Sequence, residues 1–372
     1  MADPTADPTA DPTASAAFAD AADWLMLNGT RGGSIPALLA GISERLAAAG
    51  LPLLRSSLHV HTLHPLVAGS EFEWRRATGQ VIEIPQFHGG LPFGAGRGPV
   101  QPLDGDADRR RWRSCDPTAA DVAADPSLAA LAAEGATDYL ACAVACGDGE
   151  RHAITWATDR DGGLTDREVA GLARLARVLA APLETLVTRQ TAVALMETYL
   201  GKRSGARVLA GEIQRGSGET INAVLWYSDM RGFTELSERL PGDAVIALLN
   251  AHVERLAGPI KAFRGEVLKF IGDGLLAIFP IAEAGPARAC AAALNAVRAA
   301  RAGMAALAGE RQAAGLPAVE FGVALHLGDV IYGNIGAPDR LDFTVIGPTV
   351  NYASRMEQMC KTLSKPVLAS AA

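Results

Sequence analysis

Residues 266–279 read EVLKFIGDGLLAIF, two apolar runs that meet at Gly272-Asp273-Gly274, with Lys269 inside the first run. Charged groups in so apolar a segment are costly unless they are paired, hydrogen-bonded or bound to a metal. A local reading accounts for both: Asp273 in a hairpin turn, where aspartate is common, and Lys269 on a sheet edge with its ammonium in water. The flanking sequence widens that reading. INAVLWYSD (221–229) reads as a strand, and GDAVIALLNAHVERLAGPIKAF (242–263) as a helix burying Val245, Leu248, Leu249, Leu256, Ile260 and Phe263. After the hairpin come an alanine-rich helix at about 284–310, strands in VEFGVALHLG, DVIYGNIG and LDFTVIG, and a helix from Pro348 to Cys360. The order βαββαβ is the split βαβ, or ferredoxin-like, arrangement.

In that arrangement the second hairpin strand (275–279) pairs antiparallel with the first strand, so the end of one lies beside the start of the other. Asp229, which closes AVLWYSD, then lies next to the turn that carries Asp273. Two carboxylates so close repel unless a cation sits between them, and oxygen ligands of this kind suit Mg²⁺ together with substrate phosphates. Met230-Arg231-Gly232-Phe233-Thr234 follows as a tight turn into a helix. Backbone amides at a helix start hold phosphate oxygens, and Gly232 allows a close approach. An aspartate in a turn explains either acid alone; both at one sheet end point to a nucleotide-polyphosphate site.

SDMRGFTELSERL (228–240), GEVLKFIGDGLLAIFP (265–280) and RLDFTVIGPTVNYASRME (340–357) resemble the catalytic domain of class III nucleotidyl cyclases, specifically bacterial adenylate cyclases. The resemblance runs from about residue 220 to the C-terminus, in order. It implies that Asp229 and Asp273 bind two Mg²⁺ or Mn²⁺ ions, with the carbonyl of Met230 as a further ligand. It implies that Gly232, Phe233 and Thr234 contact the substrate, and that Lys269 hydrogen-bonds adenine, assisted by Thr344 where many members carry Asp. Guanylate cyclases tend to have Glu and Cys at these two places, so ATP is the expected substrate. Asn351 and Arg355 would orient the ribose and stabilise the pentavalent α-phosphate. They are four apart and share a helix face, where a surface ion pair is the plainer account of Arg355. The family's site lies across a homodimer interface, the aspartates from one chain and Lys269, Thr344, Asn351 and Arg355 from the other. The activity implied is formation of cyclic AMP and pyrophosphate.

The sequence departs from the family in one respect. Members carry a further lysine or arginine on a strand well beyond the asparagine/arginine helix, whereas here Ala372 follows Arg355 by 17 residues (372 − 355). The expectation is a cyclase domain lacking its last strands, with an exposed sheet edge and only Lys365 nearby as a cation. The alternative function is a weak or inactive dimerising, nucleotide-binding signalling module. A diguanylate cyclase also fits the βαββαβ layout, but its Gly-Gly-Asp/Glu-Glu-Phe hairpin is absent and Asn351 and Arg355 would go unexplained.

Upstream, residues 2–13 are three copies of Ala-Asp-Pro-Thr with nothing to bury, and 1–30 is expected to be a disordered tail. Residues 31–165 read as an α+β domain. SIPALLAGISERLAAAG reads as a helix ending at Gly50, LRSSLHVHTL as a strand, and DYLACAVAC and RHAITWATD as a hairpin about Gly147-Asp148-Gly149. In its order of elements the domain resembles GAF-type sensory modules, which implies an unidentified small-molecule signal. His59, His61 and His64 read as packed or surface histidines. Thr165-Asp166-Arg167-Glu168 is a capping box that opens a connector over 166–218, with Leu172, Leu179, Leu186, Val193 and Leu200 at sevenfold spacing. That seam fits a coiled coil between two chains or a helix packed on its own domain, and Pro182 is expected to kink it. The cyclase domain takes 219–372.

The chain of 372 residues is 49% hydrophobic and 20% charged with a formal net charge of −7, which favours neither nucleic acid nor an anionic membrane as partner. Its start has no basic or apolar leader pattern and no run reaches membrane-spanning length, so a cytoplasmic protein is expected. The five scattered cysteines suit reduced, packed thiols.

Overall fold

The structure, a computed structural model, describes residues 12–29, 31, 33–89, 108–113, 126–147, 149–282 and 285–371. The chain divides into two units, Met1–Leu195 and Met196–Ala372.

The first unit opens with helices α1 (Pro12–Asn28) and α2 (Ile35–Ala48), followed by strands β1 (Leu53–His61), β2 (Val67–Arg75), β3 (Val81–Phe87) and β4 (Arg109–Arg113). Helix α3 (Pro126–Ala133), strands β5 (Asp138–Ala145) and β6 (Arg151–Thr158), and most of helix α4 (Asp166–Leu200) complete it. The six strands form an antiparallel sheet in the order β3-β2-β1-β6-β5-β4. Leu58, Val60, Phe72, Trp74, Leu140, Ile154 and Trp156 alternate along it to build one apolar face, as a period of two requires. Ser34 caps α2 by accepting from the Ala37 amide. The capping box at α4 is complete: the Thr165 amide donates to Glu168 at 2.7 Å and the Glu168 amide donates to Thr165 Oγ1 at 3.2 Å.

One expectation is corrected here. Residues 12–28 are helical, not disordered. Phe18, Ala21, Ala22 and Leu25 recur at helical spacing and pack into the core, and bare glycines admit the bulky rings. A Cβ on Gly41 would lie 2.2 Å from Trp24, and one on Gly171 2.4 Å from Phe18. The copies of Ala-Asp-Pro-Thr before residue 12 lie outside the described residues. Of the two readings of the leucine seam, the packing matches the helix on its own domain: Leu172, Leu175, Leu179, Leu183 and Leu186 are buried in the first unit's core, so the first three leucines of the seam pack within their own chain. The division at Leu195 falls inside α4. His59 is buried, which lowers its pKa to about 3; His61 stacks on His152 at 6.2 Å, and His64 Nδ1 accepts from the Leu66 and Val67 amides.

The second unit holds helix α5 (Lys202–Leu209), strand β7 (Gly218–Met230), helices α6 (Phe233–Arg239) and α7 (Gly242–Ala262), and the hairpin β8 (Glu266–Ile271) and β9 (Gly274–Pro280). Helix α8 (Pro286–Ala313), strands β10 (Phe321–Ala337) and β11 (Arg340–Ile346), helix α9 (Pro348–Thr362) and strand β12 (Val367–Ala369) follow. The sheet order is β11-β10-β7-β9-β8, with β12 parallel to the start of β10. Strand β9 is antiparallel to β7, Leu275 opposite Ser228 and Ala277 opposite Trp226. Val224, Trp226, Leu275, Ala277 and Phe279 face α7 and α8. Ala223, Leu225, Leu276 and Ile278 face the other way and meet Tyr332, Phe343, Val345 and Ala353 of the β10–β11 arm and α9. No helix among the described residues is long and apolar enough to cross a membrane.

If α1 belongs to the core, Leu25→Ala, at a side chain with no exposure, lowers the first unit's unfolding free energy by about 2–5 kcal/mol. Denaturant unfolding of the full chain measures it, and a change near zero would show that α1 does not pack there.

Candidate functional site

Strand alternation sets the second unit's functional groups. In β7, Val224, Trp226 and Met230 point to the helix-covered core, so Asp229 points with Ala223 and Leu225 to the opposite face, the one covered by β11 and α9. Ser228 is buried and takes a hydrogen bond of 2.9 Å from the Trp226 indole, which anchors the strand just before the acid. The antiparallel register sets Asp229 one step beyond the Ser228/Leu275 pair, opposite the hairpin turn. Gly274 makes the approach feasible, since a Cβ there would stand 3.1 Å from the Ser228 carbonyl and 3.3 Å from Asp229 Oδ1.

The two acids therefore meet. Asp273 Oδ2 accepts the Met230 amide at 3.2 Å, which sets its carboxylate beside Asp229, whose carboxyl feels its charge. Burial first, and then the charge of Asp273, push the Asp229 carboxyl up to about 7. Glu357 adds a further push from α9, and burial raises its own pKa against the opposing pull of Arg231. The donor set is hard oxygen throughout, and repulsion between two close carboxylates is what a divalent cation relieves; the residues fit Mg²⁺ or Mn²⁺.

Gly232 follows in the left-handed region (φ 70°) as the N-cap of α6, with open space where a Cβ would be. It supplies the sharp turn that leads from Met230 into Phe233 and Thr234, in a helix of only seven residues.

Lys269 follows a β-bulge, where the β8–β9 register slips between Val267 and Lys269. A bulge re-aims the next side chain, and the Lys269 ammonium forms an ion pair with Asp342 of β11. Thr344 lies two residues on, on the same face of β11 and opposite Gly333 of β10. Asn351 and Arg355 sit on the exposed side of α9, whose buried side is Ala353, Met356, Glu357 and Cys360. Arg355 forms no ion pair among the described residues, so the surface pair weighed from its spacing is not seen.

The structure thus brings together Asp229, Met230 and Asp273 as one set, and Lys269 with the Thr344 strand as another. Sequence reasoning missed four neighbours. Asp342 holds Lys269, and Arg231 pairs with Glu357 at 2.8 Å. His252 of α7 is buried, its pKa lowered to about 4 by that burial, and it feels the charge of Asp273. Glu357 left a trace in the sequence, an acid in register with Ala353 and Cys360 on the buried stripe of α9.

The raised Asp229 pKa fixes a sign. Stability from this group is complete below its ordinary value of 3.8 and is lost as pH rises through about 7. Thermal melts of the full chain in a chelator should fall across that window, and either Mn²⁺ or Asp273→Asn should restore stability at pH 8. Melts insensitive to both would mean that the carboxyls are not coupled.

Residues 217–367 match the family model described as the adenylate and guanylate cyclase catalytic domain. An uncharacterized protein of Mycobacterium tuberculosis is 30% identical over 214 residues, 57% of this chain and 38% of its own length. Adenylate cyclase 1 of Rhizobium meliloti is 34% identical over 149 residues, 39% of this chain and 22% of its own. The solved adenylyl cyclase CyaB from P. aeruginosa aligns at 32% identity over 38% of this chain and 74% of that one, with a TM-score of 0.37. The chain spans well under half the length of these two curated relatives.

Proposed function

We propose that the chain, which carries a class III adenylate/guanylate cyclase catalytic domain at residues 217–367, converts ATP to 3′,5′-cyclic AMP and pyrophosphate. The observation that carries this reading is the meeting of Asp229 and Asp273 at one end of the β7–β9 pair, within the matched residues. These carboxylates and the Met230 carbonyl would hold the metal. The chemistry supplied by two Mg²⁺ or Mn²⁺ ions there is neutralisation of phosphate charge and acidification of the ribose 3′-hydroxyl.

This chain's side chains do the rest. The turn at Gly232, Phe233 and Thr234 offers backbone amides to the polyphosphate. Lys269 leaves Asp342 to donate to the adenine, with Thr344 beside it on β11. Asn351 orients the ribose, and the guanidinium of Arg355 stands where charge builds on the α-phosphate. The 3′-oxygen bonds to the α-phosphorus as the bond to the bridging oxygen breaks; pyrophosphate leaves with that electron pair, and the hydroxyl proton passes to water.

The reading includes a homodimer with shared sites. Ile331, Ile335, Leu341 and Ile346 of the β10–β11 arm and Phe270 and Ile271 of β8 are exposed apolar residues suited to such an interface. It also takes residues 31–165 as a GAF-like sensory domain, 166–218 as the connector and 219–372 as the catalytic domain. The six-stranded antiparallel sheet that leads through a capping box into α4 supports the sensory part.

Incubation of the full chain with Mn²⁺ and ATP should give cyclic AMP by mass spectrometry. Loss of an outer-sphere neighbour costs about 10–100-fold, so Asp273→Ala should cost more than that. Nucleotide binding without product, from a chain shown to be dimeric, would leave a non-catalytic signalling module. The pair Lys269→Glu and Thr344→Cys should move preference from ATP towards GTP, and unchanged selectivity would place base recognition elsewhere.

A further inference from the structure

Arg231 comes directly after the Asp229–Met230 end of β7, and Glu357 lies on the inward side of α9, opposite Asn351 and Arg355. Their charged groups meet at 2.8 Å, with the Glu357 side chain only 5% exposed. A carboxylate that buried is tolerated because it is paired. The space for the guanidinium is made by Gly322, which faces Asp229 across the β7–β10 pair. A Cβ on Gly322 would lie 1.7 Å from Arg231 Nη2 and 2.5 Å from Glu357 Oε1. The Arg231 amide donates to the Glu320 carbonyl at 2.8 Å, so the turn has a main-chain tie to the entrance of β10 as well as an ionic tie to α9. Ala353, Met356 and Cys360 are the other buried side chains of α9. Two side chains of α9 also tie it to β10: the Thr349 hydroxyl donates to the Asp329 carbonyl at 2.6 Å and the Cys360 thiol to the Val323 carbonyl at 3.6 Å. The ion pair is the tie that runs from α9 to the Asp229–Met230 turn.

We propose that Arg231 and Glu357 are positioning residues whose ion pair locks the Asp229–Met230 turn to the helix that presents Asn351 and Arg355. The carboxylates and those two side chains are then held in one fixed relation within a chain. The roles of the four groups rest on the cyclase reading; the lock rests on the pair itself. Where the site is shared between two chains, the lock joins the metal half of one site to the ribose half of the other.

The decisive variant is the full chain with Arg231→Met and Glu357→Gln together. It removes one charge of each sign, so it leaves no buried orphan charge and the same net charge beside the carboxylates. A purely structural or electrostatic role then predicts unchanged Mn²⁺ affinity. The lock predicts a loss of about tenfold, the outer-sphere range, read without nucleotide from the electron paramagnetic resonance signal of free Mn²⁺. With Mn²⁺ saturating and ATP present, kcat should fall and KM should hold. Arg231→Lys, which keeps the pair, should restore wild-type Mn²⁺ affinity. Should the double variant not fold, Gly322→Ala, which displaces the guanidinium and keeps both charges, must lower Mn²⁺ affinity in the same way. Wild-type Mn²⁺ affinity in the folded double variant, or in Gly322→Ala where the double variant does not fold, overturns the proposal. A wild-type chain that binds Mn²⁺ but makes no cyclic AMP removes the catalytic reading alone, whereas one that binds no Mn²⁺ overturns both.

Discussion

The second unit is organised around two carboxyl groups that the backbone forces together. Once β9 pairs antiparallel with β7 in the register that stacks Leu275 on Ser228, Asp229 and Asp273 have no choice of neighbour. That register is itself pinned by burial, because a slip of one residue would turn Trp226, Ala277 and Phe279 out of the core. The apolar pattern thus enforces an electrostatic arrangement that is unfavourable by itself, as the raised pKa of Asp229 records. The rigid apolar sheet holds like charges in proximity at a cost in stability.

How much of this is legible in the sequence depends on the range of the interaction. The capping box at Thr165–Glu168, the hairpins and the amphipathic helices come from neighbours in sequence, and the residues themselves announce them. The meeting of Asp229 with Asp273 is long-range, yet one topological rule about antiparallel strands suffices to anticipate it. Helix α1 was missed because low-complexity Ala-Asp-Pro-Thr dominates the composition of the first thirty residues and hides the spacing of Phe18, Ala21 and Leu25. The Lys269–Asp342 contact was beyond reach for a different reason. Strands β8 and β11 are at opposite ends of the sheet order, and only the coiling of the sheet and the bulge before Lys269 bring them together.

The two ion pairs around the site differ in burial, and the difference assigns them different jobs. Lys269 and Asp342 are both about half-exposed. Such a pair contributes only about 0–1 kcal/mol, so a competing hydrogen-bond acceptor can displace Asp342 from Lys269 at little cost. Glu357, in contrast, is nearly sealed off, and separating a buried pair costs about 3–5 kcal/mol because a charge is left without solvent or partner. Thermal motion and a bound nucleotide do not readily supply that much. The pair at the sheet edge therefore exchanges partners more readily than the pair beneath α9. Arg355, which has no ionic partner among the described residues, completes the gradient: its charge contributes nothing visible to the fold, and the surface keeps it available.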